Sequence, residues 1–276
     1  MVDALVDLAL AEDLSGGDAT TAACGVAGQA VGCLTARQPL IFCGAAIAWR
    51  VIRRAGVSID LALDVDDGQR VEGGQALARL EGSLVEILAV ERTLLNFLQR
   101  LCGVATLTRK YVDAVAGTRA RITDTRKTVP GWRTLDKLAV RAGGGSNHRQ
   151  DLSSGILIKD NHLMATAVGE AVRRARERAP HSLRVEVEVD TLTQLEEALS
   201  AGAELVLLDN MSPEEVERAV SINNGRALLE VSGGVVLETV RAYAEAGADL
   251  ISVGALTHSA PAADIALDIA HVDSSR

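Results

Sequence analysis

From residue 104 onward, short apolar runs alternate with longer stretches of helical periodicity. The runs at 121–125, 156–159, 184–189, 204–209, 227–231 and 249–253 are rich in Val, Ile and Leu and have strand length. Between the later ones, 167–179, 192–201, 213–222 and 237–246 read as helices. A polar residue or glycine stands at or next to the end of each strand: Arg126, Lys159, Glu188, Asp209, Ser232 and Gly254. The last four lie 21, 23 and 22 positions apart, a compact βα repeat whose crossovers suit parallel strands. Polar residues gathered at the C-terminal ends of parallel strands predict a TIM-like barrel with its active site on that rim. Six strands are legible, so a full eight-stranded ring is not expected.

Residues 1–103 follow a different pattern. Residues 31–43 read as strand, 44–55 as helix, and 59–80 as short strands punctuated by the turn pairs Asp67-Gly68 and Gly73-Gly74. A long helix follows, apolar at Leu84, Ile87, Leu88, Leu94, Leu95 and Leu98. Two domains are therefore expected: an α/β domain at 1–103 and an α/β barrel at 104–276, with a last helix packing back on the first domain.

Composition narrows the chemistry. Aromatic residues make up 2% of the chain, so its core must be Leu, Val, Ile and Ala, and bases have few rings on which to stack. A formal charge of −9 opposes a phosphate-backbone partner, which leaves any anionic ligand to a local cluster of cations. Cys24, Cys33, Cys43 and Cys102 lack metal-like spacing and read as reduced thiols. Residues 1–13 read as an acidic helix without a basic leader, and no apolar run reaches the roughly 18–20 residues of a membrane span. A cytoplasmic protein without membrane or nucleic-acid partners is the expectation.

Five constellations carry candidate chemistry. DTRKTVPGWR (124–133) sets Arg126 and Lys127 after a buried strand, a fork for carboxylate and a point charge for phosphate. In GGGSNHR (143–149), three glycines permit a closely wrapped backbone, while His148 and Arg149 supply donors. In ILIKDNH (156–162), Lys159 leaves a buried strand and needs a counter-ion, from a ligand or a neighbouring acid. His162 reads equally as a capping or a catalytic group. RVEVEVD (184–190) alternates strictly, so inside a barrel Glu186, Glu188 and Asp190 face inward and require cations or a metal. Glu188 and Asp209 offer hard oxygens suited to Mg²⁺, partly through water. Ser232-Gly233-Gly234 and Gly254, each between a strand and a helix, suit phosphate binding on late-barrel loops.

Taken together, these segments resemble the quinolinate phosphoribosyltransferase family. The likeness extends to ALAEDLSGGDATT, ERTLLNFLQRLCGVATLT, LLDNMSPEEV, LEVSGGV and ISVGALTHSAPAADIALDI, nearly the whole chain. It implies an N-terminal open α/β sandwich followed by a partial, six- or seven-stranded TIM-like barrel. It also implies a pentosyltransferase, decarboxylating quinolinate with phosphoribosyl pyrophosphate to nicotinate mononucleotide, pyrophosphate and CO₂ in de novo NAD biosynthesis. By the same resemblance Arg126, His148, Arg149 and Lys159 hold the carboxylates of quinolinate. Arg92 is donated across the interface of a homodimer, or of a higher assembly. Lys127, Glu188 and Asp209 are the catalytic set around phosphoribosyl pyrophosphate and its Mg²⁺, and Ser232, Gly233, Gly234, Gly254 and His258 lie near its phosphate. The segment 150–155 departs from the family pattern after NHR, and EVSGGV stands where EASGGI is usual.

Three rivals remain. A related phosphoribosyltransferase-like family of molybdate transport operons shares DTRK-like and HR-like segments but lacks LIKDNH in that form. A biotinyl- or lipoyl-type carrier would explain the hairpin signals at 64–82, yet residues 60–90 contain no lysine to modify. An aldolase could use Lys159 as a Schiff base, with Arg126 and Arg149 beside it speaking for anion binding instead.

Overall fold

The computed structural model describes residues 1–271; residues 272–276 of the expected second domain lie outside it. In chain order, α1 (Val2–Leu14), α2 (Ala19–Cys24), β1 (Gln29–Ala36), β2 (Leu40–Ile41), α3 (Ala45–Ala55), β3 (Asp60–Leu63), β4 (Arg70–Val71) and β5 (Ala76–Ser83) lead into the long helix α4 (Leu84–Ala114). Then come β6 (Arg121–Thr123), α5 (Arg133–Ala142), β7 (Ile156–Ile158), α6 (Asp160–Leu163), α7 (Val168–Arg178), β8 (Val185–Val189) and α8 (Leu192–Ser200). The chain closes with β9 (Leu205–Asp209), α9 (Pro213–Asn223), β10 (Leu228–Ser232), α10 (Val240–Glu245), β11 (Leu250–Ser252), α11 (Ala255–His258) and β12 (Ile265–His271).

Two compact units emerge. One joins Met1–Arg109 to Val129–Gly144 and to the segment from Ser259 onward; the other joins Lys110–Thr128 to Gly145–His258. The first holds an antiparallel sheet in the order β12-β1-β5-β3 and a small β2-β4 ribbon. Alternation along β1 buries Ala30, Leu34 and Ala36, the period-2 signature of a one-sided sheet. The carboxylate of Asp67 accepts the N–H groups of Gly44 and Ala45 at 2.7 and 3.0 Å, which supplies the cap that glycine cannot give α3. Gly103 lies inside α4, where a Cβ would stand 2.1 Å from the Pro261 carbonyl oxygen; only glycine lets that segment cross the helix so closely. The expected last helix is a strand. Its apolar residues Ile265, Leu267 and Ile269 alternate, and a full ladder to β1 from Ala36 to Ala30 outweighs local helical preference.

The second unit is a row of six parallel strands, β6-β11-β10-β9-β8-β7, with β6 and β7 at its edges. A single parallel bridge from Thr123 to Ser146 extends the β6 side. This is the partial barrel, and every predicted strand falls within two residues of its expected ends. Caps fix several crossovers: Thr191 accepts from the Gln194 N–H, and Ser212 from the Glu215 N–H with Pro213 at the first helical position. Helix α10 starts three residues later than its periodicity predicts. The Thr239 hydroxyl and N–H bond back to Val236, making a turn of residues that would have begun the helix.

Candidate active site

All five residues of β8 are buried, and its valines and glutamates take opposite faces as the alternation predicts. Parallel register then repeats this inner face on the neighbours: Leu207 is level with Glu188 on β8 and with Glu230 on β10, and Asp209 with Ser232. The strand ends thereby line one cavity of about 330 Å³, into which Arg126, Lys127, His148, Arg149, Lys159, Glu188, Asp209 and Ser232 all project. Eight of the residues singled out in the sequence thus meet at one mouth.

Charge is divided across it. Lys159 forms an ion pair with Glu188, so the buried-end lysine finds its counter-ion in a neighbouring acid. Burial, then the Glu188 carboxylate, raises the Asp209 carboxyl above its ordinary value, while Lys159 pulls it back. The Asp209 carboxylate accepts from the Asn210 side-chain amide at 2.7 Å. Asn210 itself adopts a left-handed φ of 54°, and its side chain presses on Gly233, where a Cβ would stand 2.2 Å from its oxygen. Across the mouth, burial and then the Arg126 guanidinium lower the Arg149 pKa, so two cations share a half-buried space. The Arg149 guanidinium donates to the Gly155 carbonyl at 3.0 Å. The segment 150–155, which departs from the family pattern, thus supplies a hold on Arg149.

Other expected residues sit nearby. A Cβ at Gly254 would stand 3.2 Å from both Lys127 Cδ and the His258 ring, so this glycine is where those two side chains approach the backbone. The Thr257 hydroxyl donates to the Lys127 carbonyl at 2.8 Å and ties α11 to the same loop. Gly234 has φ 60° in the turn after β10. Arg92 is exposed on α4 and belongs to the other unit. His162 is a capping group: its Nδ1 accepts the Lys159 N–H at 2.9 Å.

Two acids escaped the sequence reading. Asp124, fully buried after β6, accepts the His148 N–H at 2.9 Å and the Asn147 amide at 2.6 Å, and so anchors the glycine loop to the barrel. Glu230 lines the floor of the mouth, and burial followed by the Glu186 carboxylate pushes it up to about 7. Both carried a signal. Asp124 directly follows an apolar run, and Glu230 precedes Ser232 by two, the spacing that sets Glu186 behind Glu188.

Cations facing carboxylates on the C-terminal rim of a parallel barrel define an enzyme of the α/β-barrel class that handles anionic small molecules. The chain belongs to the quinolinate phosphoribosyl transferase family: the model of the family's N-terminal domain matches residues 18–102 and that of its C-terminal domain residues 104–268. It is 45% identical over 269 residues to a nicotinate-nucleotide pyrophosphorylase [carboxylating] of Mycobacterium leprae, covering 95% of this chain and 94% of that one. To a probable enzyme of the same name from Bacillus subtilis it is 39% identical, over 94% and 90% of the two chains. The crystal structure of NadC from Streptococcus pyogenes superimposes with a TM-score of 0.93 at 37% identity, over 99% of this chain and 97% of that one.

Proposed function

We propose that this protein transfers the phosphoribosyl group of phosphoribosyl pyrophosphate to quinolinate and decarboxylates the product to nicotinate mononucleotide. The observation that carries the reading is the convergence of Arg126, Arg149 and Lys159 with Glu188 and Asp209 on one cavity. Arg126 and Arg149 repel one another, and a dianion between them would relieve that repulsion. Quinolinate, with two adjacent carboxylates, is such a dianion.

Glu188 and Asp209 fit a hard divalent ion, because the Glu188 carboxylate raises the cost of charge on Asp209 and Lys159 and Lys127 offset it only in part. They would hold Mg²⁺, partly through water, and the ion when bound supplies positive charge to the pyrophosphate that leaves. Lys127, beside Gly254 and His258, is placed to hold phosphate oxygens, with Ser232, Gly233 and Gly234 on the next loop. As the bond from ribose C1 to pyrophosphate breaks, positive charge grows on the sugar, and the carboxylates of Glu188 and Asp209 stabilise it. The ring nitrogen of quinolinate forms the new bond to C1. The positive ring nitrogen of the resulting pyridinium stabilises the carbanion left at C2 when that carboxylate departs as CO₂, and this carbanion takes a proton from water. Orientation of the two substrates is the main service of the three cations, worth several kcal/mol of barrier.

The active species is taken to be a homodimer in which Arg92, exposed on α4, reaches the mouth of the second copy. No described helix is long and apolar enough to cross a membrane, and the four cysteines form no disulfide, which supports a place in the cytoplasm. Both domain models are those of the quinolinate enzymes, so the molybdate-operon alternative is set aside. The test is pyrophosphate release with quinolinate, phosphoribosyl pyrophosphate and Mg²⁺: one equivalent per nicotinate mononucleotide is expected. Release that ignores quinolinate would refute the assignment.

A further inference from the structure

Beneath the mouth lies a second cavity of about 400 Å³, lined by residues from the N-terminal ends of the strands, among them Arg121, Ile156 and Arg184. His148, Arg149 and Glu230 border both spaces, so they form the partition between them. Within that partition the His148 ring, Glu186 and Glu230 bring three ligand-type atoms within 4.8 Å of one another, an arrangement that a metal ion could occupy. The hydrogen bonding of the imidazole argues against one. His148 Nδ1 accepts the Arg149 backbone N–H at 2.7 Å and is therefore unprotonated. A neutral imidazole then carries its proton on Nε2, which faces Glu186 at 3.2 Å and Glu230 at 3.6 Å. A metal on Nε2 would require both nitrogens to be stripped.

We propose that Glu186 and Glu230 are positioning residues that lock His148 in its Nε2–H tautomer, and that His148 in turn fixes Arg149 rather than binding a substrate carboxylate itself. The opposite tautomer would point Nδ1–H at the Arg149 N–H across 2.7 Å, a contact of two donors that pushes Arg149 from its place. Both ring nitrogens are thus committed to the protein. One Glu186 oxygen and one Glu230 oxygen lack a hydrogen-bond partner among the described residues, so the pair has acceptors to spare for the imidazole proton. The consequence is a division of labour: Arg126, Arg149 and Lys159 meet the carboxylates, while His148 and the two buried acids hold Arg149 still. This deepens the reading of the mouth as a quinolinate site and rests on it, except for the tautomer, which stands alone.

Nitrogen NMR of the full-length protein labelled at histidine, with His148 assigned through His148→Gln, reads the tautomer without any activity. One unprotonated and one protonated ring nitrogen are expected, unchanged when quinolinate is added. A protonated Nδ1, or an Nε2–H signal that moves to a new partner on adding quinolinate, overturns the proposal. Kinetics supply the second arm. Glu230→Leu should raise the KM for quinolinate about tenfold, the order of one lost buried polar partner, with the KM for phosphoribosyl pyrophosphate unchanged. Glu230→Gln, which keeps an acceptor, should restore it to within about twofold. Equal changes in both KM values, or no rescue by glutamine, would mean a structural role only. If Glu230→Leu does not fold, the glutamine variant and the NMR signal decide.

Discussion

Replacing Glu230 with glutamine isolates one buried acid whose protonation ties stability to pH. In the folded chain its carboxyl titrates at about 7, against 4.5 in an unfolded one, because burial and the Glu186 carboxylate disfavour its charge. Between those values the folded state holds a proton that the unfolded state has released. The stabilisation is therefore fully present below about 4.5 and is lost as pH rises through about 7. At about 1.4 kcal/mol per pH unit, the loss is on the order of 3 kcal/mol by pH 8. Glutamine is neutral at every pH and keeps the size of the side chain, so the variant lacks this component while groups remote from Glu186 and His148 titrate alike in both proteins. The assay is urea unfolding of both proteins at pH 5 and pH 8. The wild type should lose on the order of 3 kcal/mol more than Glu230→Gln between the two conditions. Parallel pH dependence in the two, or a wild type that gains relative to the variant as pH rises, would refute the reasoning.

Arg126→Ala and Lys159→Ala should each cut kcat/KM for quinolinate by at least about 100-fold with an unchanged unfolding transition, the scale of lost substrate orientation. Near-native kinetics in either would remove the carboxylate assignment. Arg92→Ala mixed with Lys159→Ala should recover activity that neither has alone, because one of the two mouths in a mixed dimer is then intact; no recovery on subunit exchange would remove the shared-site assignment. Cys102, pushed up to about 12 by burial, and Cys43, raised further by the same cause, should resist iodoacetamide at pH 8. Mass spectrometry should find the label at exposed Cys24 instead, and rapid labelling of Cys102 would contradict the burial argument.

The barrel was legible because each of its strands is an apolar run, as burial on both faces requires, with a polar residue or glycine at the rim where it ends. Alternation in β8 likewise told which side of Glu186 and Glu188 faces inward. Local pattern failed where distant chain decided the outcome. The segment forming β12 has no turn chemistry of its own and becomes a strand because β1, more than 200 residues earlier, offers it an edge. Helix α10 lost its first turn to a threonine that bonds its own backbone. At the site, the charged residues on the rim were visible as strand-end cations and acids. Asp124 and Glu230 were passed over, since each lies below the rim and acts on a loop or on His148, and their partners become neighbours only in the folded barrel. The segment 150–155 shows the reverse case: its unusual sequence drew notice, yet its contribution to the mouth is the backbone carbonyl of Gly155 rather than a side chain.

The central claim is that three cations and two acids converge on one mouth to join quinolinate to a phosphoribosyl group and release its C2 carboxylate. Quinolinate carrying ¹⁴C in either the C2 or the C3 carboxylate tests this directly. With phosphoribosyl pyrophosphate and Mg²⁺ present, the C2 label should leave as CO₂ and the C3 label should stay in nicotinate mononucleotide. Retention of both labels, or loss of the C2 label without phosphoribosyl pyrophosphate, would contradict the account.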